Sequence, residues 1–85
     1  MDNAKNMQIA LGKKLRDLRL QKGMSQTKLA GLAGMVQPMI NRFETGERKI
    51  SIEHAKKLAP ALGIAPIDLL PPGLDRRGST FLPGK

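Results

Sequence analysis

Gln37, Asn41 and Arg42 stand at i, i+4 and i+5, a spacing that at about 100° per residue spreads the three over an arc of roughly 140° on one side of a helix. A glutamine amide both donates and accepts, which suits adenine in a bidentate pair. The arginine fork fits guanine O6 and N7 or grips a phosphate. Two further cations, Arg48 and Lys49, follow in an exposed charged stretch. The chemistry on offer is recognition of nucleic acid. The charge agrees: fifteen Lys and Arg against seven Asp and Glu leave +8 on 85 residues, a density that favours a polyanionic partner.

Other chemistries lack their residues. With no cysteine there is no thiolate metal site, disulfide framework or thiol nucleophile. His54, the single histidine, has no second His or Cys to share a metal, and its expected place is a helix surface. Ser25 and Ser51 are better used as helix caps than as nucleophiles, and no glycine-rich phosphate loop precedes a lysine. No catalytic residue, metal or cofactor is therefore expected, and the chain is not read as an enzyme. Phe43 and Phe81 are the only aromatic side chains, too few for the stacking platforms of single-strand binders, so double-stranded DNA is the better polyanion. No apolar run approaches the roughly 18 residues of a membrane span, and Met1 to Leu11 lack a signal-peptide core. A cytoplasmic protein associated with a bacterial or phage nucleoid is expected, with no membrane partner.

The elements that must position these side chains are helices. Leu11, Leu15 and Leu18 form an apolar stripe at helical spacing, and Gly23 closes a first helix that begins near Gln8. Ser25 caps a short second helix with Leu29, Ala30, Leu32 and Ala33 as its apolar positions, and Gly34 ends it. A tight turn to Val36 leads into a third helix over Gln37–Glu44, with Pro38 in its first turn, where a missing N–H costs nothing. Met35, Met39, Ile40 and Phe43 are read as core-facing. Thr45 and Gly46 stop this helix. Ser51 caps a fourth, whose buried face is Ile52, Ala55, Leu58, Ala59 and Leu62 and in which Pro60 should produce a kink near Lys56. Pro66 opens a brief fifth helix through Leu70. The fold class is all-α: a compact bundle of about five short helices containing a helix-turn-helix, followed by a flexible C-terminal tail. Residues 1–7 form an N-terminal arm, 8–70 the DNA-binding domain and 71–85 a Pro/Gly-rich basic tail.

The run Ser25-Gln26-Thr27-Lys28-Leu29-Ala30, then Ala33-Gly34, Ile40-Asn41-Arg42-Phe43-Glu44-Thr45-Gly46, Ser51 and Leu58-Ala59-Pro60-Ala61-Leu62-Gly63 closely resembles the Xre/Cro type of phage-repressor helix-turn-helix domains. The resemblance spans roughly Leu11 to Leu70. It implies a five-helix domain that binds operator DNA as a dimer without catalysis, with the third helix in the major groove. By the same resemblance, Gln26 bonds a phosphate and braces the recognition helix, and Gln37 is the first position to reach base edges. Arg19 and Glu44 form a structural ion pair between the first and third helices. Arg48 and Lys49 follow the recognition helix where the family touches the DNA backbone; as plain sequence they are equally solvated loop charges. Two positions depart from the pattern. Val36 replaces the usual small hydroxyl residue before Gln37, and Pro38 offers DNA only an apolar surface, either against a thymine methyl or simply as a helix starter.

Two functions follow as expectations. One is a sequence-specific transcriptional regulator, a repressor bound as a homodimer to a near-palindromic operator, with Ile64, Ile67, Leu69 and Leu70 of the last helix at the dimer contact. The other is an antitoxin or similar interaction module whose helix-turn-helix autoregulates its operon. Its tail would capture a partner protein through Ser79, Thr80, Phe81 and Leu82.

Overall fold

Four helices and one 3₁₀ turn make up the computed structural model, which describes residues 3–71. Beyond Pro71, the tail and its anchor Ser79 to Leu82 lie outside the described residues. The helices are α1 (Asn3–Gln21), α2 (Gln26–Ala33), α3 (Gln37–Thr45) and α4 (Ile52–Leu62), followed by the turn Pro66–Leu69. No strand occurs among the described residues. α3 lies against both α1 and α2, and α2 also meets α4, which carries the final turn on its other side.

The core is aliphatic around one aromatic ring. Leu15, Leu29, Ile40, Phe43, Ala55, Leu58, Leu62 and Leu69 are wholly buried, and Leu11, Leu18, Met24, Met35 and Met39 pack half-buried around them. Burying a leucine, isoleucine or phenylalanine side chain contributes roughly 1.5–3 kcal/mol, so the seven large side chains among these explain why so short a chain closes on itself.

α2 and α4 start in the same way. Ser25 Oγ accepts from the Lys28 N–H at 3.0 Å and Ser51 Oγ from the His54 N–H at 3.1 Å, which satisfies a first-turn donor in each. Between α2 and α3 the chain reverses at Gly34, whose φ of 70° only glycine adopts without strain, and the Met35 N–H closes on the Ala30 carbonyl at 2.8 Å. A second glycine serves contact instead of conformation. A Cβ at Gly12 would stand 2.1 Å from the Phe43 carbonyl oxygen, so α1 and α3 approach at a distance that any other residue would prevent.

Several expectations are corrected. α1 begins at Asn3, not near Gln8, so residues 3–7 are helical and not a separate arm. The apolar stripe of Leu11, Leu15 and Leu18 continues back to the half-buried Met7, and hydrogen bonds hold this end as well: Gln8 Nε2 and Lys5 Nζ both donate to the Gly46 carbonyl, at 2.7 and 3.2 Å. The fifth helix is only the 3₁₀ turn Pro66–Leu69, because Pro71 forces Leu70 into extended backbone (φ −114°, ψ 155°). Leu69, expected at a dimer contact, is fully buried in the protein's own core. Leu32 and Ile52 were expected inside and stand 56% and 47% exposed. Leu32 points well away from the stripe of Leu29, Ala30 and Ala33, and Ile52 sits at the helix entrance. α4 runs unbroken through Pro60, which lies in its last turn.

Candidate nucleic-acid interface

α3 has two unlike sides. Ile40, Phe43 and Glu44 are buried, while Pro38, Asn41 and Arg42 are exposed and Gln37 is half-buried at the edge between them. The exposed side results from periodicity, since the apolar residues claim one side of the helix and leave the polar ones out. Pro38 stands in the first turn, and Val36 precedes it in extended backbone (φ −104°, ψ 149°), 64% exposed and making no side-chain cap.

Behind this side lies a continuous polar chain. Arg19 and Glu44 meet in a two-pronged pair, Nε to Oε2 at 2.6 Å and Nη2 to Oε1 at 2.9 Å, and Arg19 Nη1 also donates to the Met24 carbonyl at 2.8 Å. Both residues are almost fully buried, and the hydrogen bond to Glu44 raises Arg19 above its already high pKa, more than desolvation lowers it. Charge-assisted forks of this kind are the strong class of protein hydrogen bond. Gln26 extends the chain outward: its Nε2 donates to Glu44 Oε1 at 3.0 Å and to Asn41 Oδ1 at 3.3 Å, and its Oε1 accepts from Gln37 Nε2 at 2.6 Å.

The structure thus brings Arg19, Gln26, Gln37, Asn41 and Glu44 into one network. An amide nitrogen carries two N–H groups, and Gln26 has committed both. A phosphate could gain a bond from this side chain only by displacing one of those partners, of which Asn41 is the longest. Through these bonds Gln26 ties α2 to α3.

Arg48 returns to the end of α3 through its backbone, its N–H bonding the Arg42 carbonyl at 3.1 Å, and its side chain is exposed. Lys49 is also exposed, but it borders a cavity with Met7, Gln8, Leu11, Ile50 and Pro71, nearer the start of α1 than the outward side of α3. The loop cations are thus not merged with Gln37, Asn41 and Arg42 into a single cluster by any bond.

Sequence reasoning missed what His54 does. Its ring lies 4.8 Å from Phe43, centroid to centroid, and its Nδ1 lies 3.2 Å from the Ser51 N–H and 2.9 Å from Ser51 Oγ. This closes a capping box in which histidine holds the place usually taken by Glu or Gln, so the Ser-x-x-His spacing was the available signal. Burial lowers the His54 pKa from its ordinary 6.5, aided by the Arg48 and Lys57 charges and opposed by Glu53. Facing the Ser51 N–H, Nδ1 acts as the acceptor of that bond. The described residues hold no cluster of His, Cys, Asp and Glu suited to a metal ion, and none of their helices is long and apolar enough to cross a membrane.

A sequence profile described as helix-turn-helix matches residues 15–69, from the middle of α1 to the final turn. The chain belongs to the helix-turn-helix family. Its α2, the Gly34 turn and α3 are the two helices and turn of that motif. Among curated relatives, the control protein C.BamHI of Bacillus amyloliquefaciens is 39% identical over 66 residues, covering 76% of this chain and 82% of that protein. Among solved structures, the restriction-modification controller protein C.AhdI from Aeromonas hydrophila superposes with a TM-score of 0.75 at 36% identity, over 81% of this chain and 100% of that one. The antitoxin HigA of Escherichia coli is 38% identical over 52 residues, covering 61% of this chain but only 36% of the antitoxin.

Proposed function

We propose that this protein reads double-stranded DNA as a homodimer and regulates transcription as a repressor from a near-palindromic operator, by binding and not by catalysis. The observation that carries the reading is the exposed side of α3, where Gln37, Pro38, Asn41 and Arg42 face outward from a helix whose other side is fixed in the core. Laid in the major groove, that side presents an amide pair for adenine, a guanidinium for guanine or phosphate, and the apolar surfaces of Val36 and Pro38 for thymine methyls. Arg48 and Lys49 supply backbone contacts. The similarity to two controller proteins supports a regulatory role, and a cytoplasmic, nucleoid-associated place follows from such a role.

Dimerisation uses the apolar surface around the final turn. Ile67 is 43% exposed, and with Leu70, Pro71, Met7 and Leu11 it lines a groove. Half-buried Ile64 belongs to the same end of the molecule, whereas Leu69 faces inward and takes no part.

Selection of a randomised duplex pool on the purified protein tests the whole reading. The expected product is a two-fold symmetric motif with half-sites about 34 Å apart. Gln37→Ala should cost about 1–3 kcal/mol of discrimination at one base position, whereas Lys49→Ala should weaken all sequences alike and reduce the salt slope by about 1. No enriched motif, or uniform loss with Gln37→Ala, would refute base reading. In transcription from a promoter carrying the motif, output should fall when the protein is added; a rise makes it an activator.

The similarity to an antitoxin favours a second reading, in which residues 71–85 bind a partner protein while the helical domain autoregulates. Deleting that tail should then leave operator binding intact and abolish capture of the partner.

A further inference from the structure

We propose that the groove between α4 and the turn joining α2 to α3 seats one phosphate of the DNA backbone, with Lys57 as its cation. The inference rests on the reading of α3 as a helix that lies in the major groove. Gly34, Met35, Val36 and Met39 line one side of the groove, and His54 and Lys57 of α4 line the other. On α4 these two stand three residues apart and so share one side of the helix, while Ala55, Leu58, Ala59 and Leu62 turn to the core. On α3, the exposed Arg42 stands three residues beyond Met39 and continues the same flank by one turn.

The donors here are unspent. Lys57 is exposed and has no ion-pair partner among the described residues. His54 accepts through Nδ1 from the Ser51 N–H, so the proton of its neutral ring sits on Nε2, which has no hydrogen-bond partner among the described residues. The charges of Arg48 and Lys57 both reach the His54 ring, with Glu53 opposing. Met35, Val36 and Met39 give the groove an apolar floor, and a lysine stem laid on such a surface carries its ammonium to the rim. A phosphate bound there loses water on one side, which strengthens its pairing with the cation.

The place suits a DNA strand. A helix with its side chains is about 10–12 Å across and the major groove about 12 Å wide, so a helix that reads bases has a phosphate backbone along each flank. Towards α2, Gln26 meets Gln37, Asn41 and Glu44 and has both its N–H groups committed. Towards α4 lie Val36, Met39 and the free donors of Lys57 and His54. A backbone phosphate offers only acceptors and one negative charge, the complement of this flank, and such a contact sets the register of α3 without reading sequence.

The test compares Lys57→Gln with Lys56→Gln, a substitution at a neighbouring exposed lysine outside the groove. Affinity is measured by fluorescence anisotropy over a range of salt, on the selected duplex and on an unrelated one. Lys57→Gln should weaken both duplexes by the same factor, about threefold or more, and lower the salt slope by about 1, whereas Lys56→Gln should leave the slope unchanged. Single methylphosphonates, which are neutral, are then placed in turn along the selected duplex. One position should cost the wild type that same factor and cost Lys57→Gln nothing. Equal effects of the two lysine substitutions would reduce the contribution to net charge and overturn the seat, as would a methylphosphonate profile that Lys57→Gln leaves unchanged; base selection by α3 would stand in either case. A wild type that binds neither duplex would instead bring down the reading of α3, and the seat with it.

Discussion

At its C-terminal end α3 is held from three directions: the Arg19 fork grips Glu44, Gln8 and Lys5 donate to the Gly46 carbonyl, and the bare Cα of Gly12 lets α1 press on the backbone at Phe43. At its N-terminal end the ties are fewer. Gln26 reaches Gln37 and Asn41, but Val36 offers the first turn no side-chain acceptor and both Val36 and Pro38 are exposed. α2 and α4, which present no reading side, both start from a serine cap. The difference leaves α3 firmly held at its C-terminal end and more loosely tied at its N-terminal end. The first turn does without a side-chain cap because Pro38 has no N–H to satisfy and the Met39 N–H turns back to the Val36 carbonyl at 3.1 Å.

The comparison breaks most directly at the held end. Arg19→Ala leaves the Glu44 carboxylate buried without its partner, so unfolding in urea should show a loss of about 3–5 kcal/mol. A loss below about 1 kcal/mol, the range of a surface pair, would mean that the fork does not hold α3. A smaller effect of opposite sign is expected at the open end. Val36→Ser adds a side-chain acceptor for the Met39 N–H, which now bonds the Val36 carbonyl at 3.1 Å, and should raise stability by at most about 1 kcal/mol; no gain would show that the carbonyl already serves that donor.

The smallest effect depends on pH and comes through His54, whose ring leans on Phe43 in the held half of α3. Protonation would cost the Nδ1 acceptor used by the Ser51 N–H and charge a partly buried ring beside Arg48 and Lys57, with Glu53 opposing. The folded pKa therefore lies below the unfolded one, and the unfolded chain takes up the proton first. Stability from this group is complete above the ordinary pKa of 6.5 and declines as pH falls below it, until the folded value is passed. Melting temperature measured from pH 8 down to 5 should fall more in the wild type than in His54→Gln, which keeps a side-chain acceptor at the third helical position. Parallel curves would remove His54 from the account.

Much of this protein is legible residue by residue. Ser25, Gly34, Ser51 and Gly63 bound their helices through local backbone chemistry, which needs nothing from the rest of the chain, and the spacing of Ile40 and Phe43 against Asn41 and Arg42 divides α3 into an inner and an outer side. The reading fell short at the start of α1, where it stopped before Met7 on the same apolar stripe. Residues 3–7 are helical and tied to Gly46 at the far end of α3, a contact across 38 and 41 positions of sequence for Gln8 and Lys5 that no local pattern encodes. Leu69 looked no different from Leu70 until the final turn folded on α4 and buried one of them completely.

The sequence by itself determined where the second, third and fourth helices begin, the inner and outer sides of the third, and the excess of positive charge, because each depends on neighbours within a turn or on a sum over the chain. Only the tertiary structure decided that Gln26 has no donor to spare, that Glu44 accepts from Gln26 beside its own ion pair, and that His54 belongs to a cap beside Phe43. The physical reason is direction: a hydrogen bond depends on which atom faces which, and that is settled only when side chains from different helices meet.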